Sequence, residues 1–195
     1  MKRRDVIIKA AFKVFAKDGF HGASMRKIAA AAKLKTPSLI YWYFKDKEEL
    51  VREVMKRQSP LLREMPNLQK QIDVPPEEML PRVAEIFLSI LDTPQLFHIF
   101  ISNAASMPEI IPYTKNILPA LDFFVTYLER QVALGRLRRH SSQSSSRAFI
   151  GTLIGYALFS EILTPLRQGL PERKQYIQDV CSIFIEGLRP DEASP

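Results

Sequence analysis

Apolar residues recur at intervals of three and four along nearly the whole of this chain, and runs of strict apolar–polar alternation are few. That period belongs to helices, not strands, so the expected fold is all-α. Glycine is scarce, at 7 in 195 residues. The 14 prolines fall mostly between helical runs or at their starts, where a missing N–H costs little. The first helix is expected over residues 3–17, with Ile7, Ala11, Val14 and Phe15 on one stripe and Gly19 as its stop. Ser24 is placed to cap a second helix, "MRKIAAAAK". Thr36 can cap a short third one, with Pro37 at its first position. The fourth starts at Asp46, whose spacing to Glu49 is a variant of the capping box. Longer helices are expected over 60–71, 76–91, 95–106, 110–134, 144–163 and 172–188, with Pro112 and Pro119 as candidate kinks. "HSSQSSS", from His140 to Ser146, is a polar turn ending in a serine fit to cap the next helix. There is no internal repeat.

Charge divides the chain unevenly. Residues 1–57 hold 15 Lys and Arg against 6 Asp and Glu, while residues 58–195 hold 13 against 15. A basic head on a slightly acidic body suits a polyanion partner, either nucleic acid or an anionic surface. The single cysteine, Cys181, fits a small buried hydrophobe in a reducing, cytoplasmic setting. The basic start lacks the continuous apolar core of a signal peptide. The longest apolar stretch, 148–163, is interrupted by Thr152, Ser160 and Glu161, so no membrane span is expected. The tail "PDEASP" is expected to fray.

The segment "TPSLIYWYFKDKEEL" puts four aromatics in a row, Tyr41 to Phe44. Two short helices joined by a few residues and braced by a third fit a helix-turn-helix unit, whose second helix enters the major groove of DNA. On a helical wheel Ile40 and Phe44 coincide, with Tyr43 beside them, facing the first two helices. Ser38 and Trp42 point the opposite way, flanked by Tyr41 and Leu39. Their hydroxyls and indole N–H can donate to phosphates, and their rings can touch thymine methyls. The amide end of the fourth helix, with Lys47 in its first turn, and the opening of the second, Ser24, Met25 and Arg26, are candidate phosphate sites. Lys35 lies in the turn. The expected DNA-contacting set is therefore Ser24, Met25, Arg26, Lys35, Thr36, Pro37, Ser38, Tyr41, Trp42 and Lys47.

"AAFKVFAKDGFHGASMRKIAAAAKL" and "LIYWYFKDKEEL" together resemble the TetR family of transcriptional regulators over about residues 4–55. Phe15, Gly19-Phe20, Ala23-Ser24, Ile28-Ala29, Tyr41, Phe44, Lys47 and Glu49-Leu50 carry the likeness as a set. The chain departs from the pattern by running one residue longer between Ile28 and Tyr41. The resemblance implies a homodimer with a helix-turn-helix DNA-binding domain (1–57) that binds palindromic double-stranded DNA. It also implies a larger helical domain (58–195) for dimerisation and a small-molecule effector.

In that larger domain, Gly151 and Gly155 stand four apart on one helix with Phe159 nearby. Tyr176, Val180 and Phe184 lie on neighbouring faces of the last helix. Glycines in a helix cost stability, which a close crossing would offset, so these six are the expected dimer contacts. Aromatic-rich stretches supply core, and an apolar pocket with a few polar fixers would draw on Phe97, His98, Asn103, Phe124 and Tyr127.

The function these features support is a ligand-responsive repressor; the same parts would serve activation. The alternative is a helical membrane-surface or scaffold protein, which the amphipathic first helix allows and the exposed Ser, Tyr and Trp argue against. An enzyme ranks lower. His21, His98, His140 and Cys181 are far apart, and no nucleophile elbow, zinc-protease motif or phosphate-binding glycine loop is present. No catalytic residue, metal or cofactor is expected.

Overall fold

A computed structural model of the chain describes residues 2–93, 95–97, 99 and 118–190. Among these, every regular element is a helix, as the apolar period requires. In order they are α1 (Arg3–Gly22), α2 (Met25–Ala31), α3 (Ser38–Tyr41), α4 (Lys47–Gln58), α5 (Pro60–Gln69), α6 (Pro76–Leu88), α7 (Leu118–Ala133), α8 (Ser142–Glu161) and α9 (Arg173–Gly187). Single 3-10 turns occupy Ser89–Asp92 and Thr164–Arg167. The chain divides into two compact units: Met1–Arg63 with Ile90–Leu118, and Glu64–Ser89 with Pro119–Pro195. Parts of the helices expected over 95–106 and 110–134, including Pro112, and the tail after residue 190 lie outside the described residues.

In the first unit α1 packs against α2 and α4. Ile7, Ala11 and Phe15 from the stripe of α1 are wholly buried, together with Ile28, Ile40, Phe44, Leu50, Val54 and Ile99. Gly19 breaks α1 with φ +67°, a left-handed angle that glycine adopts without the usual clash. The break turns Phe20 inward, where its ring stacks on Phe15 at 6.2 Å. Ser24 caps α2 by accepting from the Lys27 N–H at 3.2 Å. Asp46 caps α4 by accepting from the Glu49 N–H at 2.6 Å, and the Glu49 carboxylate accepts from the Lys45 N–H at 2.6 Å. The capping box is thus closed one residue earlier than usual. Each such cap stabilises its helix by about 1 kcal/mol.

An ion network closes the far end of this unit. The Arg4 guanidinium reaches Glu53 at 3.0 Å, and Arg57 reaches Glu53 at 3.2 Å and Asp5 at 2.5 Å. Partial burial opposes the Glu53 charge, but the hydrogen bonds and charges of Arg4 and Arg57 hold its carboxyl below the usual range. The Arg57 hydrogen bond does the same for Asp5. Carboxylates depressed on folding give stability that is present above their unfolded pKa and is lost as the pH falls through the folded one. The first unit is therefore expected to lose stability below about pH 4. Thermal unfolding of Glu53→Gln from pH 6 to pH 3 should show a flatter loss; an unchanged pH profile would rule the network out.

In the second unit α6 packs on α8 and α9, and α8 on α9. Its core is a run of rings. Tyr127 stacks on Phe124 at 6.1 Å, Phe124 on Phe149 at 5.2 Å, and Phe149 meets Phe184 edge-on at 5.1 Å. Two of its buried polar side chains are paired, as burial demands: the Tyr127 hydroxyl donates to the Val74 carbonyl at 2.9 Å, and the Gln131 amide to Ile72 at 2.8 Å. Cys181 is buried, and burial pushes its thiol up to about 11.

Pro66 and Pro81 lie inside α5 and α6, within the helices expected over 60–71 and 76–91. The apolar faces around them, Met65 and Leu68 on α5 and Met79, Leu80, Val83 and Ala84 on α6, are buried. That burial outweighs the roughly 3 kcal/mol cost of an interior proline. The serine-rich turn is shorter than expected, because Ser141 caps α8 by accepting from the Ser144 N–H at 3.2 Å.

Candidate nucleic-acid interface

The interface is built on a turn that holds its own shape. Lys33 follows α2 with φ +56°. Its N–H donates to Ala30 at 3.1 Å, and the Leu34 N–H donates back to Ala29 at 2.9 Å. This pair is the Schellman closure of a helix end. It is made here without glycine, at a cost of about 1 kcal/mol for the left-handed angle. Leu34 packs onto the core and anchors the turn. The segment where the chain runs one residue long therefore leads straight into α3. Pro37 already has helical angles (φ −59°, ψ −28°), and the Thr36 carbonyl accepts from the Leu39 N–H at 3.4 Å.

Helix α3 is a single turn, and its two faces differ sharply. Ile40 and Phe44 are 0% and 1% exposed, whereas Tyr41 is 55% and Trp42 83% exposed. Tyr43, expected beside Ile40 and Phe44, is instead 39% exposed. The Phe44 N–H still donates to the Ile40 carbonyl at 3.0 Å, which keeps Phe44 over Ile40, while Tyr43 falls at the edge of the buried face. Three consecutive aromatics thus stand out from the head. Lys35, Thr36 and Ser38 are exposed beside them, and Pro37 is half-buried. At the start of α2, Ser24 and Arg26 are exposed, while Met25 is half-buried against the core.

Lys47 has a tighter set of contacts than the sequence suggested. Its ammonium donates to the carbonyls of Phe20 at 2.8 Å and Ala23 at 3.1 Å, and lies 4.2 Å from the centre of the Phe20 ring. Lys27 does similar work one turn away, with Asp18 at 2.7 Å and the Gly22 carbonyl at 2.8 Å. Two lysines therefore hold the carbonyl-rich end of α1, where the helix dipole favours cations. Desolvation lowers the Lys47 pKa. Two of its three ammonium protons serve α1, so its first role is to fix α4 against the α1–α2 corner. The lysine in the first turn of α4 finds its negative partner in the dipole end of another helix. Nothing in the one-dimensional pattern pointed to that.

In the second unit, Gly151 lies on an exposed stretch of α8. A Cβ there would meet no atom within 4 Å, and one at Gly155 would meet only the Phe159 ring at 4.0 Å. Phe159 is 38% and Ile183 68% exposed. Tyr176, Val180 and Phe184 serve the unit's own packing. The Tyr176 hydroxyl donates to the Thr152 carbonyl at 2.8 Å, Val180 is buried, and Phe184 sits on Phe149. Of the expected pocket residues, Phe124 and Tyr127 meet in the ring stack, and burial raises the Tyr127 phenol's pKa. Phe97 is buried in the first unit, and His98 and Asn103 lie outside the described residues.

Residues 7–54 match the family of bacterial regulatory proteins, tetR family. Over 55 residues, 28% of its length, the chain is 44% identical to an HTH-type transcriptional repressor, NicS, from Pseudomonas putida. That match spans 26% of the repressor's length. The fold is shared with the fatty acid degradation regulator FadR from Bacillus halodurans, at TM-score 0.75 and 20% identity over 98% of each chain. It is shared also with SmeT, the repressor of the Stenotrophomonas maltophilia multidrug efflux pump SmeDEF. There the TM-score is 0.74 and the identity 21%, over 98% of this chain and 93% of that one.

Proposed function

We propose that this chain, whose residues 7–54 match the tetR family of bacterial regulatory proteins, is a sequence-specific, ligand-responsive transcriptional repressor. The observation that carries this reading is the exposed surface of Tyr41, at the end of a one-turn helix, and of Trp42 and Tyr43 just after it. It stands over a fully buried Ile40 and Phe44, within a head that holds 15 basic residues against 6 acidic ones. Evolution of a stable core does not call for three aromatics in water; a groove that covers them does. Arg26, Lys35 and the hydroxyls of Thr36 and Ser38 stand ready for phosphates on either side.

On this reading residues 1–57 bind DNA and residues 58–195 bind effector and partner. The face with Gly151, Gly155, Phe159 and Ile183 would pair with a second copy, and two heads would then enter successive major grooves about 34–36 Å apart. A small, mostly apolar effector would favour a head spacing that no longer fits the operator. It must prefer that state to release DNA, since equal affinity for both states shifts nothing. Among the described residues no helix is long and apolar enough to cross a membrane, and we place the protein in the cytoplasm.

Selection from a random duplex pool tests the proposal. A palindromic sequence should be enriched, and Tyr41→Ala should bind it at least tenfold more weakly while keeping its helical circular dichroism. Enrichment of nothing beyond salt-sensitive, sequence-blind binding would reject it.

A further inference from the structure

We infer that the Tyr41–Trp42–Tyr43 surface reads its operator through the 5-methyl groups of thymines in the major groove, with Trp42 as the residue that sets this preference. The inference rests on the DNA-binding reading above and deepens it. Base identity in the major groove is read mostly by hydrogen-bonding side chains: arginine or lysine on guanine, asparagine or glutamine on adenine. From Pro37 to Tyr43 this chain has no Arg, Lys, Asn or Gln, and Lys33 and Lys35 lie in the turn before α3. What α3 and the two residues after it expose instead is ring surface, most of all the Trp42 indole at 83% exposure. Leu39 is half-buried beside it. The one base-edge feature in the groove that apolar surface can recognise is the thymine methyl.

The position of Trp42 supports the assignment. Ile40 and Phe44 on either side of it in sequence are wholly buried. They fix the backbone that carries the indole, so the ring projects from a rigid base rather than from a loop. The hydroxyls of Tyr41 and Ser38 can satisfy phosphates, but they carry little base information alone. Aromatics stacked on single-stranded bases are the other chemistry such a surface could serve. The short helix on a buried base, in a basic helical head, favours a duplex groove.

The test replaces thymine by uracil, which removes only the methyl group and leaves the protein untouched. Full-length protein is first offered a random duplex pool, and the enriched duplex is then remade with uracil at each thymine in turn. Thymines should recur at fixed positions of both half-sites. Uracil at those positions should weaken binding about fourfold per contacted methyl, compounding across the two half-sites. Trp42→Ala should bind the thymine and uracil duplexes alike, with its circular dichroism unchanged because the ring it loses is exposed. Wild-type binding that stays within twofold for uracil at every position would overturn the inference while leaving the repressor reading intact. Tighter binding to the single strand than to the duplex would overturn it as well. A pool that yields no enriched duplex defeats the repressor reading itself, before uracil enters, and the inference falls with it.

Discussion

Phe44→Ala is expected to unfold the first unit and leave the second standing. The ring is 1% exposed, in one cluster with Phe15, Ile40 and Leu50, and the Arg4 guanidinium lies 5.1 Å from its centre. Deleting a buried phenylalanine costs about 3–5 kcal/mol, a large share of what a small domain has in total. Hydrogen exchange should show protection lost over residues 2–58 and kept in α6, α8 and α9, and duplex binding should disappear. Trp42→Ala, two residues away, should change stability by no more than about 0.5 kcal/mol, because its ring is in water. Equal destabilisation by the two would mean that the two faces of α3 are not divided as described.

Lys47→Met is expected to weaken the protein before any DNA is added. Methionine keeps the apolar stem and removes the ammonium, leaving the Phe20 and Ala23 carbonyls without that donor. The loss should be about 1–3 kcal/mol, the usual cost of stranding partners of a charged hydrogen bond. Duplex affinity should fall too, because the corner that sets α2 and α3 against α4 is loosened. Denaturant unfolding of the free protein separates the possibilities. A lysine that only touches phosphate would leave the midpoint unchanged, and that result would contradict the strut.

Those two residues show how far the sequence could be read. The division between buried Phe44 and exposed Trp42 follows from the helical period alone, and the Ser24 and Asp46 caps follow from residue type and spacing. The helix stop at Gly19 was equally legible, because glycine is the residue that takes φ +67° freely. Tyr43 differs because the wheel sets it at the edge of the buried face, where the period alone does not decide exposure. Lys33 takes the left-handed angle without being glycine, which composition cannot signal. The strut role of Lys47 depends on carbonyls 24 and 27 residues earlier in the chain, a contact that only the folded corner creates. Gly151 and Gly155, a pair expected to need a close neighbour, have no backbone of another element within 4 Å among the described residues.

The most direct measurement titrates the full-length protein with its selected duplex at several salt concentrations, following DNA anisotropy together with the fluorescence of Trp42, the chain's single tryptophan. With six to ten phosphates engaged, affinity should fall by about 10³–10⁵ between 50 and 200 mM salt. Trp42 emission should change in step with binding, and a scrambled duplex should bind far more weakly. Binding that ignores both salt and sequence, with Trp42 emission unmoved, would contradict the claim that this head reads DNA.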